Sequence, residues 1–196
     1  MKIYRILSIL ILTPLLLICG CSNNKPITEE SILQKADEVL DKGKAESAME
    51  YNDFLLGAQA KAINRMLALN WDVSSEAFNL EIENFIQLLN TILKNVNSID
   101  TYKHGKDFKE AIKEQLYMYK DIVKNDWLEI FELQNKSPTS DEEMQELSSK
   151  IDAILKRTEE KEAPIDIKVE NAQIEFAKKY NFKLYANELQ EKLDNL

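Results

Sequence analysis

The chain has 196 residues with 34 acidic and 25 basic side chains, which gives a formal net charge of −9. This acidic excess argues against nucleic acid and against an anionic membrane surface as direct partners. Only four glycines and four prolines are present, so the composition favours a few long helices over many short strands.

The N-terminus has the order of a bacterial lipoprotein signal peptide. A short basic region, Met1 to Arg5, precedes an apolar run over residues 6–18, and Ile18-Cys19-Gly20-Cys21 resembles a lipobox, in which a signal peptidase cleaves before a lipid-modified cysteine. We therefore predict a lipoprotein signal peptide over residues 1–20, a lipidated tether over 21–27 and lipidation of Cys21. The apolar run is shorter than the ~20 residues of a typical transmembrane helix, and the alternative is an uncleaved membrane anchor.

Processing at this point has two consequences for the mature domain. It removes Lys2 and Arg5 but no acid, so the domain becomes still more acidic. It also removes Cys19 and leaves Cys21 occupied by lipid, so neither a free thiol nor a disulfide remains. The stability of this exported domain must then come from apolar burial.

The first three predicted helices follow the tether. The first begins after Thr28 and ends near Gly43. The second runs from about Lys44 to Trp71, with an apolar stripe at Tyr51, Leu55, Ala58, Ala62, Met66 and Leu69, widened by Phe54. The third carries an uninterrupted heptad seam, with Ser74 or Ser75 as its cap: Phe78, Ile82, Phe85, Leu89, Ile92, Val96 and Ile99.

Two further segments complete the helical pattern. After a loop over 100–106, the fourth carries the stripe Phe108, Ile112, Leu116, Tyr119, Val123, Trp127, Ile130 and Phe131. Ser140 and Glu143 have the spacing of a capping box at the start of the last segment, whose stripe runs from Met144 to Tyr180. Because Pro164 lies inside this stripe, we predict two collinear helices with a kink or short break near Ala163-Pro164. Residues 187–196 could add a short terminal helix.

This pattern predicts an all-α fold over residues 28–196. Four long amphipathic segments with short connections favour an antiparallel four-helix up-down bundle, with a short extra helix at the N-terminus. No internal repeat indicates a solenoid.

The sequence offers little for catalysis or cofactor binding. His104 is the only histidine and lies in the loop beside Gly105, so we predict no haem, zinc or di-iron site, and no metal ligand, catalytic residue or cofactor. The sequence contains no nucleophile elbow, phosphate-binding loop or zinc-protease motif. If a metal were found, the carboxylates to test would be Glu142, Glu146, Asp53 and Asp121.

Acidic runs and aromatic residues have simpler interpretations. We interpret Glu142, Glu143 and Glu146 as one acidic cluster and residues 159–162 as a solvated helix face. Tyr119 and Trp127 lie on the core stripe, whereas Tyr117 and Tyr185 lie off it. Polar residues inside the second helix can fix helix register if they are buried: Asn52, Asp53 and Asn64.

Two stretches carry a family resemblance. Tyr51-Asn52-Asp53-Phe54-Leu55-Leu56-Gly57-Ala58-Gln59 and the stretch from Gln173 to Leu184, which contains Phe-Ala-Lys-Lys-Tyr-Asn, together with the lipobox resemble a family of uncharacterised bacterial surface lipoproteins noted in Leptospira and Bacteroidetes. The resemblance spans roughly residues 45–185. It implies a lipid-anchored helical domain and provides no catalytic or ligand residues.

The sequence thus predicts a non-enzymatic lipoprotein held in the membrane by lipid on Cys21 and binding an envelope or surface protein. Ser22 and Asn23 after Cys21 fit delivery to the outer membrane or cell surface if the host has two membranes. If the host has one membrane, we expect the protein on the outer face of the cell membrane. One alternative is a periplasmic structural or accessory lipoprotein. The other is a helical carrier or hydrolase, which a concave pocket with shifted carboxylate pKa values would favour.

Overall fold

A computed structural model describes residues 18–19 and 29–185 of the chain. Within them the elements are β1 (Ile18–Cys19), α1 (Glu29–Lys42), α2 (Ala48–Leu67), α3 (Ser75–Ser98), α4 (Lys106–Asp121), a π-helical segment (Ile122–Trp127), α5 (Leu128–Gln134), α6 (Asp141–Tyr180) and β2 (Leu184–Tyr185). The two-residue strands pair antiparallel, with Ile18 opposite Tyr185. All other regular secondary structure in the described residues is helical, which confirms the predicted all-α helical bundle.

Helix α2 lies at the centre of the molecule. Residues 51–60 are all buried, including the polar Asn52, Asp53 and Gln59. Helix α1 packs closely along it, because Gly57 has no side chain: a Cβ there would stand 2.3 Å from the Cβ of Ala36. The second helix is therefore buried on every side over these residues, and not only along the predicted stripe.

Serine caps begin three of the helices. The hydroxyls of Ser47, Ser74 and Ser140 accept hydrogen bonds from the backbone N–H groups of Glu50, Ala77 and Glu143 at 3.1, 3.3 and 3.2 Å. These contacts satisfy N–H groups that the first helical turn leaves free. The predicted caps at Ser74 and Ser140 are confirmed, and Ser47 with Glu50 repeats the Ser-x-x-Glu spacing of Ser140 with Glu143.

The heptad seam of α3 is confirmed. All seven residues from Phe78 to Ile99 on the seam are buried. At the start of this helix, the ring of Phe78 stacks on Phe131 with centroids 3.9 Å apart, and Trp71 lies between Phe78 and Trp127. This aromatic cluster packs the connection after α2 against α3, the π-helical segment and α5.

The fourth predicted segment is one continuous helical rod, but it is not uniformly α-helical. The six residues of the π-helical segment separate α4 from α5. A π turn accommodates an extra residue and occurs frequently at functional sites. Its only sign in the sequence is the pair of consecutive four-residue spacings, Tyr119 to Val123 to Trp127, which is too weak to predict it.

The last segment corrects the prediction of two collinear helices. Helix α6 is a single helix of 40 residues with Pro164 inside it. Pro164 is exposed, as is Glu160, so the carbonyl group that loses its N–H donor can bind water instead. The buried stripe also begins later than predicted, because Met144 is 51% exposed and the first buried apolar residue is Ile151.

The end of α6 has a specific stop signal. Asn181 has a positive φ of 53°, and the N–H groups of Phe182 and Asn181 donate to the carbonyls of Ala177 and Lys178. This is the hydrogen-bond pattern of a Schellman motif. The predicted terminal helix over 187–196 lies outside the described residues, as do Cys21 and the tether. None of the described helices is both long and apolar enough to span a bilayer.

Candidate functional site

The π-helical segment places a carboxylate inside the bundle. Asp126 is 1% exposed, and Oδ1 accepts hydrogen bonds from Nε and Nη2 of Arg157 at 3.0 and 2.6 Å. Its Oδ2 accepts from Oγ1 of Thr158 at 3.2 Å and from Nζ of Lys161 at 2.9 Å. A buried charge is costly unless it is paired and hydrogen-bonded, and Asp126 is both.

An open groove of about 680 Å³ lies over this carboxylate. Its walls carry three basic and three acidic side chains, with one apolar residue and one amide, namely Lys124, Arg157, Lys161, Asp126, Glu129, Glu132, Leu128 and Asn125. Arg157 also contacts Glu129 at 3.1 Å, and Lys161 contacts Asp121 at 2.8 Å. The hydrogen bond from Lys161 lowers the pKa of Asp121. We call this the π groove.

A second set of polar side chains lies inside the bundle next to the groove. Nε2 of Gln59 in α2 donates to Oε1 of Gln115 in α4, and Nε2 of Gln115 donates to Oδ1 of Asp166 in α6, both at 2.8 Å. Tyr119 and Glu162 lie beside this chain, at 1% and 4% exposure. We call these five residues the interior polar cluster.

Three atoms of the interior polar cluster are buried without a hydrogen-bond partner in the described part of the chain: Oε1 of Gln59, the hydroxyl of Tyr119 and Oε2 of Glu162. Burial raises the pKa of Glu162 to about 8, with further contributions from Asp166 and Asp126. Burial also raises the pKa of Asp166 to about 6, against the hydrogen bond from Gln115. The pKa of Tyr119 is raised well above its ordinary value for the same reason.

A third polar contact joins α1, α2 and α6 near the other end of the bundle. Nζ of Lys35 donates to Oδ2 of Asp53 at 2.8 Å, and Nε2 of Gln173 donates to Oδ1 of Asn52 at 2.9 Å. The rings of Tyr51 and Phe176 lie 5.6 Å apart. The two stretches that carry the family resemblance therefore pack against each other. Asn52 and Asp53 are buried, as a role in helix register requires, whereas Asn64 is half-buried.

Other residues singled out in the sequence lie apart from these clusters. His104 is an exposed loop residue with a positive φ of 59°. Glu142, Glu143 and Glu146 are exposed near the start of α6, and Tyr117 is 54% exposed. Tyr119 and Trp127 are buried on the core stripe.

The four carboxylates kept as metal candidates do not form one site. Asp53 is buried against Lys35 and Asp121 is exposed against Lys161, whereas Glu142 and Glu146 lie in the first turns of α6. The described residues contain no group of three or more His, Cys, Asp or Glu side chains with the geometry of a metal site.

One interpretation of the sequence is wrong. Residues 159–162 do not form a uniformly solvated face, because Glu162 is buried while Glu159 and Glu160 are exposed. Glu162 lies four residues after the buried Thr158 and so shares its face of α6. This spacing was visible in the sequence, but a glutamate in an acidic run is ordinarily exposed. Asp126 was not singled out either, because an aspartate is ordinarily exposed.

Comparison of the chain with known protein families, characterised proteins and solved structures finds no match. The functional argument therefore rests on the sequence motifs and on the arrangement of polar groups in this chain. The π groove offers charged groups of both signs to a ligand, whereas the carboxylates with raised pKa values, Glu162 and Asp166, are not among its lining residues.

Proposed function

We propose that the chain is a lipid-anchored, non-enzymatic protein of the bacterial envelope whose helical bundle binds an envelope or surface protein. The observation that carries the proposal is the sequence Ile18-Cys19-Gly20-Cys21 after a basic and an apolar segment. The resemblance to surface lipoproteins supports it. Cleavage before Cys21 would remove β1, and the bundle would keep only its helices and the end of the chain.

The position of α1 fits a domain held close to a membrane. Glu29 follows Cys21 by eight positions, so the tether reaches at most about 28 Å when fully extended. Two or more acyl chains on one cysteine anchor a protein firmly, whereas a single chain does so only marginally. The net negative charge argues for attachment through the lipid rather than through the protein surface.

The π groove is the surface to which we assign partner binding. It combines an open, shallow shape, a π turn and exposed charges of both signs, and such a mixed surface selects a partner by complementary charge placement. A protein surface with interspersed Lys, Arg, Asp and Glu side chains matches it better than a uniformly anionic polymer.

The alternative of a carrier or hydrolase has one observation in its favour. Glu162 and Asp166 have pKa values of about 8 and 6, and two carboxyl groups with separated pKa values are a common acid–base arrangement. Because Glu162 is buried and not among the residues that line the groove, a substrate in the groove would not contact it. This separation is the reason for preferring binding. The other alternative, a periplasmic accessory lipoprotein, differs from the proposed function only in its partner and in not being exposed on intact cells.

Metabolic labelling with an alkyne fatty acid tests the anchor. We expect the label on the wild type and on Cys19→Ala, which changes only the discarded segment, and its loss together with an unprocessed precursor for Cys21→Ala. Label that persists on Cys21→Ala would contradict the proposal.

Site-specific crosslinking tests the binding surface. A photo-reactive residue at Lys124, which is exposed in the groove, should trap one envelope protein in intact cells. The same residue at Lys94, which is exposed on α3, is the matched control. The assignment of the groove fails if both positions trap the same proteins or if neither traps any.

A further inference from the structure

The buried face of α6 is mostly apolar at its two ends and polar in its middle, and the exception at the C-terminal end is Gln173. Ile151, Ile154 and Leu155 are buried before this middle, and Val169, Phe176 and Ala177 after it. Between Leu155 and Val169 the only buried residues are Thr158 and Glu162, accompanied by the half-buried Ile165 and Asp166. Apolar burial therefore fixes the two ends of the helix more firmly than the middle.

The backbone is also weakest in this middle stretch. Pro164 has no N–H group, so one hydrogen bond of the helix is missing there, and its ring crowds the preceding turn. The hydrogen bond from Gln115 to Asp166 and the groups around Glu162 must compensate for this local defect.

The charged groups that face this stretch do not neutralise Glu162 and Asp166. Helix α4 contributes Tyr119, with Glu114 and Asp121 at its edges, the π segment contributes Asp126, α5 contributes Glu129, and α2 contributes the neutral Gln59. The cations nearby on α6 bind other acids. Arg157 is bound to Asp126 and Glu129, Lys161 to Asp126 and Asp121, and Lys168 to Glu114.

We propose that Glu162 and Asp166 form a pH-sensitive latch between α4 and α6, which is closed while Glu162 holds a proton and releases residues 156–168 when it does not. The apolar ends of α6 stay docked, and the helix yields at Pro164. Because Arg157 and Lys161 belong to the released stretch, the wall of the π groove changes with the latch. The inference does not depend on the lipid anchor or on the ligand of the groove.

The chemistry of the cluster explains this direction. A neutral carboxyl group of Glu162 has a proton to donate. In the described residues its Oε2, the hydroxyl of Tyr119 and Oε1 of Gln59 are all buried without a hydrogen-bond partner. A carboxylate cannot donate and would stand as an uncompensated charge in a buried site. The raised pKa of Glu162, about 8, places the change near neutral pH.

Amide hydrogen exchange on the full chain in detergent tests the latch between pH 5.5 and 9. After correction for the pH dependence of intrinsic exchange, the opening equilibrium constant of residues 156–168 should rise at least tenfold. Residues 151–155 and 169–177 should change less than about twofold. Opening that is uniform along α6, or independent of pH, overturns the proposal.

Two variants separate titration of Glu162 from a general effect of charge. Glu162→Gln keeps the shape and a hydrogen-bond donor but cannot ionise. The opening equilibrium constant of residues 156–168 in this variant should therefore stay low and independent of pH. Glu160→Gln removes an exposed acid of the same helix and should behave like the wild type. A pH dependence that survives Glu162→Gln, or that Glu160→Gln abolishes, contradicts the latch.

A titration of the wild type keeps the inference testable if Glu162→Gln does not fold. Carbon-13 NMR of the glutamate side-chain carboxyl groups should reveal one group with a midpoint at least two pH units above the others. Midpoints that all lie below about pH 5.5 exclude a proton held by Glu162 at neutral pH.

Discussion

At the scale of single residues, complete burial rather than hydrophobicity decides how much a side chain stabilises the bundle. Phe85 and Leu80 are both large apolar residues of α3, but Phe85 is 0% and Leu80 is 57% exposed. Exposed apolar residues scattered singly on a surface are ordinary, whereas a buried aromatic ring holds the core through its contacts and its removal from water.

This pair gives the first prediction. Phe85→Ala should lower the free energy of unfolding by ~3–5 kcal/mol, because it leaves a cavity in the middle of the seam. Leu80→Ala on the same helix should change it by less than ~0.5 kcal/mol. Urea unfolding followed by circular dichroism measures both, and equal effects of the two variants would contradict the burial of the seam.

The polar residues inside the bundle determine how neighbouring helices align. Gln173 pairs with Asn52, and Gln59 pairs with Gln115, so a shift of either helix pair along its axis would break a buried hydrogen bond. Buried polar groups that fix register can cost stability and are retained for the alignment they impose.

At the scale of elements, the close contact of α1 with α2 depends on Gly57. A Cβ at this position would approach the Cβ of Ala36 to 2.3 Å, and the backbone carbonyl of Ile32 lies 3.2 Å away. Neither of these atoms belongs to the flexible end of a side chain, so α1 itself would have to move.

Gly57→Ala should therefore destabilise the protein by ~1–3 kcal/mol, although alanine is the better helix former by about 1 kcal/mol. Hydrogen exchange should increase chiefly in α1. Adding Ala36→Gly to Gly57→Ala relieves the overlap and should restore part of the loss, which a double-mutant cycle measures. An additive result would show that the two positions do not compete for space.

Substitution of Pro164 gives a second prediction at the scale of elements. Because it is exposed in the middle of α6, Pro164→Ala restores a backbone hydrogen bond without changing the core. We expect stabilisation by ~1–3 kcal/mol, up to the full cost of a proline inside a helix. Ala163→Gly is the opposite control at an exposed neighbouring site and should destabilise by ~1 kcal/mol. Destabilisation by Pro164→Ala would mean that the bundle requires the proline geometry.

At the scale of the whole molecule, stability should depend on pH in two directions. Hydrogen bonds from the backbone and from basic side chains lower the pKa values of several acids, including Glu50, Glu143 and Asp121, so their contribution is present above the unfolded pKa and is lost as the pH falls. Burial raises the pKa of Glu162 from 4.5 to about 8, so its contribution is full below pH 4.5 and is lost as the pH rises to about 8.

These opposite signs predict a maximum of stability on the acid side of neutrality. Between about pH 6 and 8, Glu162 binds a proton in the folded but not in the unfolded state, and stability should fall by up to about 1.4 kcal/mol per pH unit. Urea midpoints measured at several pH values test this fall. A curve that rises from pH 6 to 8, or that is unchanged in Glu162→Gln, would contradict it.

The sequence by itself determined the helices and their apolar faces. Periodic apolar residues, serine caps and the scarcity of glycine are local signals, and they correctly predicted the all-α bundle, the seam of α3 and the caps at Ser74 and Ser140. The lipobox is a local signal of the same kind. Its prediction of lipidation at Cys21 stays a prediction until labelling tests it.

The tertiary structure alone decided which polar groups lie inside. Glu162 lies in an acidic run and Asp126 follows Lys124-Asn125, and only the packing of α6 against α4 and the π segment buries the two carboxyl groups. The continuity of α6 across Pro164 was also decided by packing, because burial at both ends outweighs the local cost of the proline. Local patterns determine which segments become helices, whereas the burial of a charge depends on residues distant in sequence, and these determine both the groove and the latch.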